Sequence, residues 1–121
     1  MFKEKLSEII ERTDGALAAV IMGTDGIEVE KVLRPEGREL NLDVAAATFT
    51  SLVRSAQVIG REINLGQERE LLVAFDHVTI CARLLSRDYF VMLAVAPDGN
   101  LGRGRFELRK AELELAHEFA L

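Results

Sequence analysis

The chain opens with apolar residues spaced as on one face of a helix. Phe2, Leu6, Ile9, Ile10 and Thr13 share a side, and Lys, Glu and Arg fill the other. Asp14-Gly15 stops this helix, since glycine accepts the left-handed conformation of a C-terminal cap. Ala16 to Met22 is continuously apolar and reads as a buried strand, and Gly23-Thr24-Asp25-Gly26 is turn chemistry. Ile27 to Leu33 follows as a second strand, and Glu28, Glu30 and Lys31 mark it as a sheet edge. Pro35 to Asn41 is a polar loop. The longest element runs from about Asp43 to Leu65, with Asp43 as N-cap and Gly66 just past its end.

On that long helix, Phe49, Leu52, Val53, Ala56, Ile59 or Gly60, and Ile63 form one apolar face. A strip of small residues (Ala45, Thr48, Ser51, Ser55) runs beside it. About 22 helical residues span roughly 33 Å, more than a small sheet needs as cover. The reading adopted is burial on two sides, against a sheet and against a second copy. The alternative is a small-residue surface on a helix of high propensity. Glu68 to Phe75, Val78 to Leu85 and Tyr89 to Ala96 then read as three strands in consecutive hairpins. The last of these barely alternates, which places it mid-sheet with both faces covered. A final helix runs from Leu101 to the chain end on a stripe of Leu101, Leu108, Ala111, Leu115 and Phe119. The order is α-β-β-α-β-β-β-α, a mixed α/β fold of three layers on five antiparallel strands.

Composition narrows the picture. With 121 residues the expectation is one domain over residues 1–121, and with 6% aromatics and no Trp the core must be aliphatic. A net charge of −5 gives the wrong field for nucleic acid. The N-terminus lacks the apolar stretch of a signal peptide, and Ala16 to Met22 is too short to span a bilayer, so a soluble, cytoplasmic protein is expected. Cys81 has no partner for a disulfide; within Val-Thr-Ile-Cys-Ala it reads as a small buried residue, against the alternative of a reactive thiol.

Candidate chemistry is sparse. Gly99-x-x-Gly102-x-Gly104 lacks the Lys-Ser/Thr of a phosphate loop and reverses the dinucleotide-binding order, so the stretch reads as a connector. Pro97-Asp98-Gly99 makes a tight turn and Gly102 lets the helix entrance pack closely. Arg103, Arg105, Arg109 and Lys110 crowd the first turns of the last helix, where the macrodipole disfavours cations. Glu107 and Glu114, four residues beyond Arg103 and Lys110, offset that cost. These basic residues are either a solvated face or a docking patch for an acidic partner. His77 and His117 have no neighbouring nucleophile motif or metal-ligand spacing. No catalytic, metal or cofactor-binding residue is assigned.

Several stretches together resemble the roadblock / dynein light chain family. They are Thr13-Asp14-Gly15-Ala16 with Ala18 to Met22 and Thr24-Asp25-Gly26-Ile27-Glu28-Val29; then Leu65-Gly66-Gln67-Glu68-Arg69-Glu70-Leu71-Leu72-Val73; and last Ala96-Pro97-Asp98-Gly99-Asn100-Leu101-Gly102 running into Arg103 to Lys110. The resemblance covers residues 3 to 118 and is to the prokaryotic, MglB-type members. It implies a profilin-like sandwich, with the long helix on one face of the sheet and two helices on the other. It implies a homodimer formed by long helices and third strands, with Thr48, Leu52, Ser55, Glu70 and Leu72 at the two-fold interface. It implies a non-catalytic regulator or scaffold for a small Ras-like GTPase; activation of GTP hydrolysis and pure anchoring stay equally open. The length suggests a bare domain without tails. Two other readings stand beside this one: a small-molecule-sensing or adaptor domain, and an enzyme relying on scattered carboxylates or Cys81.

Overall fold

The computed structural model describes residues 1–119. The elements are α1 (Phe2–Arg12), β1 (Ala16–Gly23), β2 (Glu28–Leu33), a short 3-10 turn (Pro35–Gly37), α2 (Leu42–Glu62), β3 (Glu70–Ala74), β4 (Thr79–Leu84), β5 (Tyr89–Val95) and α3 (Leu101–Phe119). The order is the one expected, and the strands form one antiparallel sheet arranged β2-β1-β5-β4-β3. The expected continuation of the last helix into residues 120–121 lies outside the described residues.

The period-two geometry of strands sorts the core onto two faces. Ala19 and Ile21 of β1 and Val91, Leu93 and Val95 of β5 point towards α1 and α3, where they meet Leu6, Ile9, Leu108, Ala111 and Leu115. Ala18, Val20 and Met22, with Phe90, Met92 and Ala94, point to the other side and meet Leu42, Ala46, Phe49 and Val53 of α2. β5 therefore sits in the centre with both faces covered, which is why its sequence hardly alternates. β2 is an edge, as its charges required, and β3 is the other edge.

Local chemistry moves three boundaries. Asn41, not Asp43, caps α2: its side-chain oxygen accepts the Val44 amide at 3.3 Å. At the other end Ile63 closes the helix, Asn64 takes the left-handed conformation (φ 61°), and the Leu65 amide reaches back to the Gly60 carbonyl at 2.9 Å. That is a Schellman closure, with Asn where Gly66 was expected. Pro35 to Gly37 is a 3-10 turn rather than open loop, pressed so closely on β1 that a side chain at Gly37 would meet the Leu17 carbonyl at 2.6 Å.

Candidate functional site

The two turn signatures that stood far apart in sequence lock together. The Asn100 amide donates to the Asp14 carbonyl at 2.8 Å and the Ala96 amide to the Gly15 carbonyl at 2.8 Å. Gly15 (φ 80°) and Gly99 touch backbone to backbone: a Cβ at Gly15 would lie 2.4 Å from the Gly99 Cα. The Asn100 side chain then caps α3 by accepting the Arg103 amide at 3.0 Å. The Gly99, Asn100, Arg103 and Gly104 amides of this stretch are thus engaged within the protein, as a connector requires. One assignment shifts. Gly104 is the residue that permits close packing, against Leu93 and Thr13, whereas Gly102 is exposed and would meet only the Asn100 side-chain oxygen, at an ordinary contact distance.

α2 carries apolar residues on more than one side. Leu42, Ala46, Phe49 and Val53 are buried on the sheet. Leu52, Ile59 and Ile63, expected on that same face, are instead 44%, 53% and 62% exposed, and Val44 and Val58 join them. Thr48, Ser51 and Ser55 lie between them, all exposed. At 100° per residue Leu52, Ile59 and Ile63 lie about 100° round the helix from the face that Leu42, Ala46, Phe49 and Val53 turn to the sheet, so the helix period had merged two adjacent faces into one. β3, at the end of the sheet, is paired on one side only.

The expected interface residues are therefore divided. Thr48, Leu52 and Ser55 share the outward face of α2. Glu70 and Leu72 lie on β3 but on the opposite side of the sheet, because Leu71 and Val73 are the residues of that strand packed towards α2. Glu70 receives Arg105 (2.8 Å) and Arg83 (3.5 Å). What β3 offers along its free edge is backbone.

The basic cluster of α3 is largely neutralised in place. Arg103 grips Glu107 through Nε (2.9 Å) and a terminal nitrogen (2.8 Å), and lies 5.5 Å from the centre of the Phe106 ring. Glu107 itself is only 2% exposed, with Arg12 at 3.9 Å and Lys110 at 4.0 Å. Lys110 also reaches Glu8 at 3.6 Å. Glu114 pairs with Lys5 of α1, not with Lys110 as its spacing suggested. Arg109 is exposed and forms no ion pair among the described residues. Sequence reasoning missed a further member, Arg83, which sits 10% exposed on β4 between Glu70 and Glu112 (2.7 Å). A lone arginine inside an apolar strand was the available signal.

Cys81 is fully buried, and burial followed by the Glu70 charge pushes its thiol up to about 12, so almost no thiolate forms near neutral pH. His77 lies in the β3–β4 turn and His117 on the exposed side of α3. No group of three or more His, Cys, Asp or Glu among the described residues is placed to hold a metal. None of the described helices is long and apolar enough to cross a membrane.

One long helix on one face of a five-stranded antiparallel sheet and two on the other define a profilin-like three-layer sandwich. It carries an open helix face on α2 and an open strand edge on β3. The solved structures agree with that class. MglC from Myxococcus xanthus is 33% identical over 98% of this chain and 98% of its own, with a TM-score of 0.69. A Roadblock/LC7 domain from Streptomyces avermitilis superposes with a TM-score of 0.82 over 98% and 97% of the two chains, at 15% identity. The gliding protein MglB from Thermus thermophilus gives 0.83 over 95% and 85%, at 16% identity. No protein-family model and no curated protein matches the chain. The chain belongs to the roadblock family.

Proposed function

We propose that this roadblock domain acts as a non-catalytic homodimer that binds a small Ras-like GTPase, as a regulator of its cycle or as a scaffold. The observation that carries the reading is the outward face of α2. Leu52, Ile59 and Ile63 would be costly to leave in water, and a second copy related by a two-fold axis would bury them against themselves. The free edge of β3 would pair with its own copy and extend the sheet. Thr48 and Ser55 are small enough to let two α2 helices approach closely. Glu70 and Leu72 would enter through the β3 backbone rather than through side chains on the helix side.

Docking of the GTPase is assigned to Arg103, Arg105, Arg109 and Lys110, with Arg109 the member free of an ion pair among the described residues. The experiment is affinity capture from native lysate in a GTP analogue and in GDP, followed by mass spectrometry. A GTPase enriched in the GTP-analogue sample supports a regulator, and equal retention supports a scaffold. Capture of no GTPase in either state removes the partner from the proposal. For the docking face, Arg109→Glu should weaken the complex at least about tenfold, as loss and reversal of one charge-assisted contact does. Unchanged binding would retire that patch.

A further inference from the structure

The C-terminal turns of α2 extend past the core they cover. Gln57 props this end by donating to the Arg87 carbonyl at 2.9 Å, and Gly60 meets the Gly66 carbonyl across the α2–β3 connection. Between them lies a cavity of about 820 Å³, bounded by α2, the connection, the residues after β4 and Glu112 of α3. Gln57 and Arg61, in its wall, lie on the far side of α2 from Leu52 and Ile59.

Three arginines line this cavity from three separate elements: Arg61 on α2, Arg69 before β3 and Arg87 in the β4–β5 turn. All three are exposed, and none forms an ion pair among the described residues. Arg83, Arg103 and Arg105, by contrast, each hold a carboxylate. In a chain of net charge −5, three arginines without carboxylate partners lining one concavity call for an anion. The planar fork of arginine matches phosphate oxygens two at a time. Gln57 and Ser86 add neutral polar groups at the wall. We propose that this cavity binds a small phosphate-bearing anion, held by Arg61, Arg69 and Arg87. The site is independent of the GTPase reading.

Glu68, in the same wall, makes the site proton-sensitive. Neither of its carboxylate oxygens has a hydrogen-bond partner, both are sealed from solvent, and burial raises the group to about 7. The charged groups that share the cavity with it are Arg61 from α2, Arg69 from the connection, Arg87 from the β4–β5 turn, and Glu112 from α3, itself tied to Arg83. A bound anion disfavours ionised Glu68, so by linkage affinity falls as pH rises through about 7.

The test titrates the intact protein with pyrophosphate and follows backbone amides by NMR. Millimolar pyrophosphate should shift residues 57–69 and 84–87, and the Arg61→Ala, Arg87→Ala double variant should bind at least about tenfold more weakly. Arg38→Ala, which removes an exposed arginine elsewhere, should bind as the parent does. The ratio of parent to Glu68→Gln affinity should fall between pH 6 and pH 8, a comparison in which the titration of pyrophosphate itself cancels. Shifts spread over the whole surface, equal weakening by Arg38→Ala, or no shift at the cavity would each overturn the site.

Discussion

Glu68 has nothing to hold its charge: its oxygens are buried, without a donor, and desolvation alone accounts for its raised affinity for a proton. The sign of the effect on stability follows. Below the ordinary value of 4.5 the proton is bound in both folded and unfolded chains, and no penalty arises. Between 4.5 and about 7 the folded chain keeps a proton that the unfolded chain gives up, so stability drops as pH rises through that window. Replacing the carboxyl by a neutral amide removes the drop. Glu68→Gln should match the parent at pH 4 and exceed it by about 1–2 kcal/mol at pH 8, allowing for partial exposure. Urea unfolding at the two pH values measures this, and a parent as stable as the variant at pH 8 would refute it. Glu107 is the opposite case. It is more deeply buried than Glu68, yet Arg103, Arg12 and Lys110 surround it with opposite charge.

At the scale of elements, the clasp between the first and last turns explains why glycines so far apart in sequence sit together. A methyl group on Gly99 would lie 2.6 Å from Val95 Cγ1 and 2.7 Å from the Asp14 carbonyl oxygen, and backbone cannot yield as a side chain can. Gly99→Ala should therefore cost about 2–3 kcal/mol. Gly102→Ala, on an exposed helical site whose nearest neighbour is 3.6 Å away, should be neutral or stabilising by up to about 1 kcal/mol. Thermal unfolding of the two variants separates them, and equal losses would contradict the packing account. The elements themselves were largely legible, because β5 announces a central strand by apolarity on both sides and β2 announces an edge by its charges. Two faces of α2 were not. Leu52 and Val53 are neighbours in sequence and both apolar, so periodicity alone could not assign one to the core and the other to solvent. For Glu70 and Leu72, which strand they fall on was legible, but the side of the sheet they face depends on register, which pairs Leu72 with Cys81 and Leu71 with Ala82. The cavity was invisible for a related reason. Arg61, Arg69 and Arg87 come from a helix, a connection and a turn, and no local spacing links them.

For the whole molecule, the proposed two-fold pairing makes stability a function of concentration. If α2 and β3 bury themselves against a second copy, the melting temperature should rise with protein concentration, and Leu52→Glu should yield a folded monomer by analytical ultracentrifugation. A parent that sediments as a monomer at micromolar concentration would sink the pairing. The sheet order carries a separate consequence, for assembly in time. β5 is the last strand in the sequence and the middle one in the sheet, hydrogen-bonded to β1 on one side and β4 on the other. A chain emerging from its N-terminus first can form only two separate ribbons, β2 with β1 and β4 with β3. Neither has a backbone bond to the other until Tyr89 to Val95 slides between them. The seam that joins the domain is thus closed by contacts of large sequence separation, the kind that slow folding. Until then the inward-facing edges of both ribbons, β1 and β4, lie open along the chain.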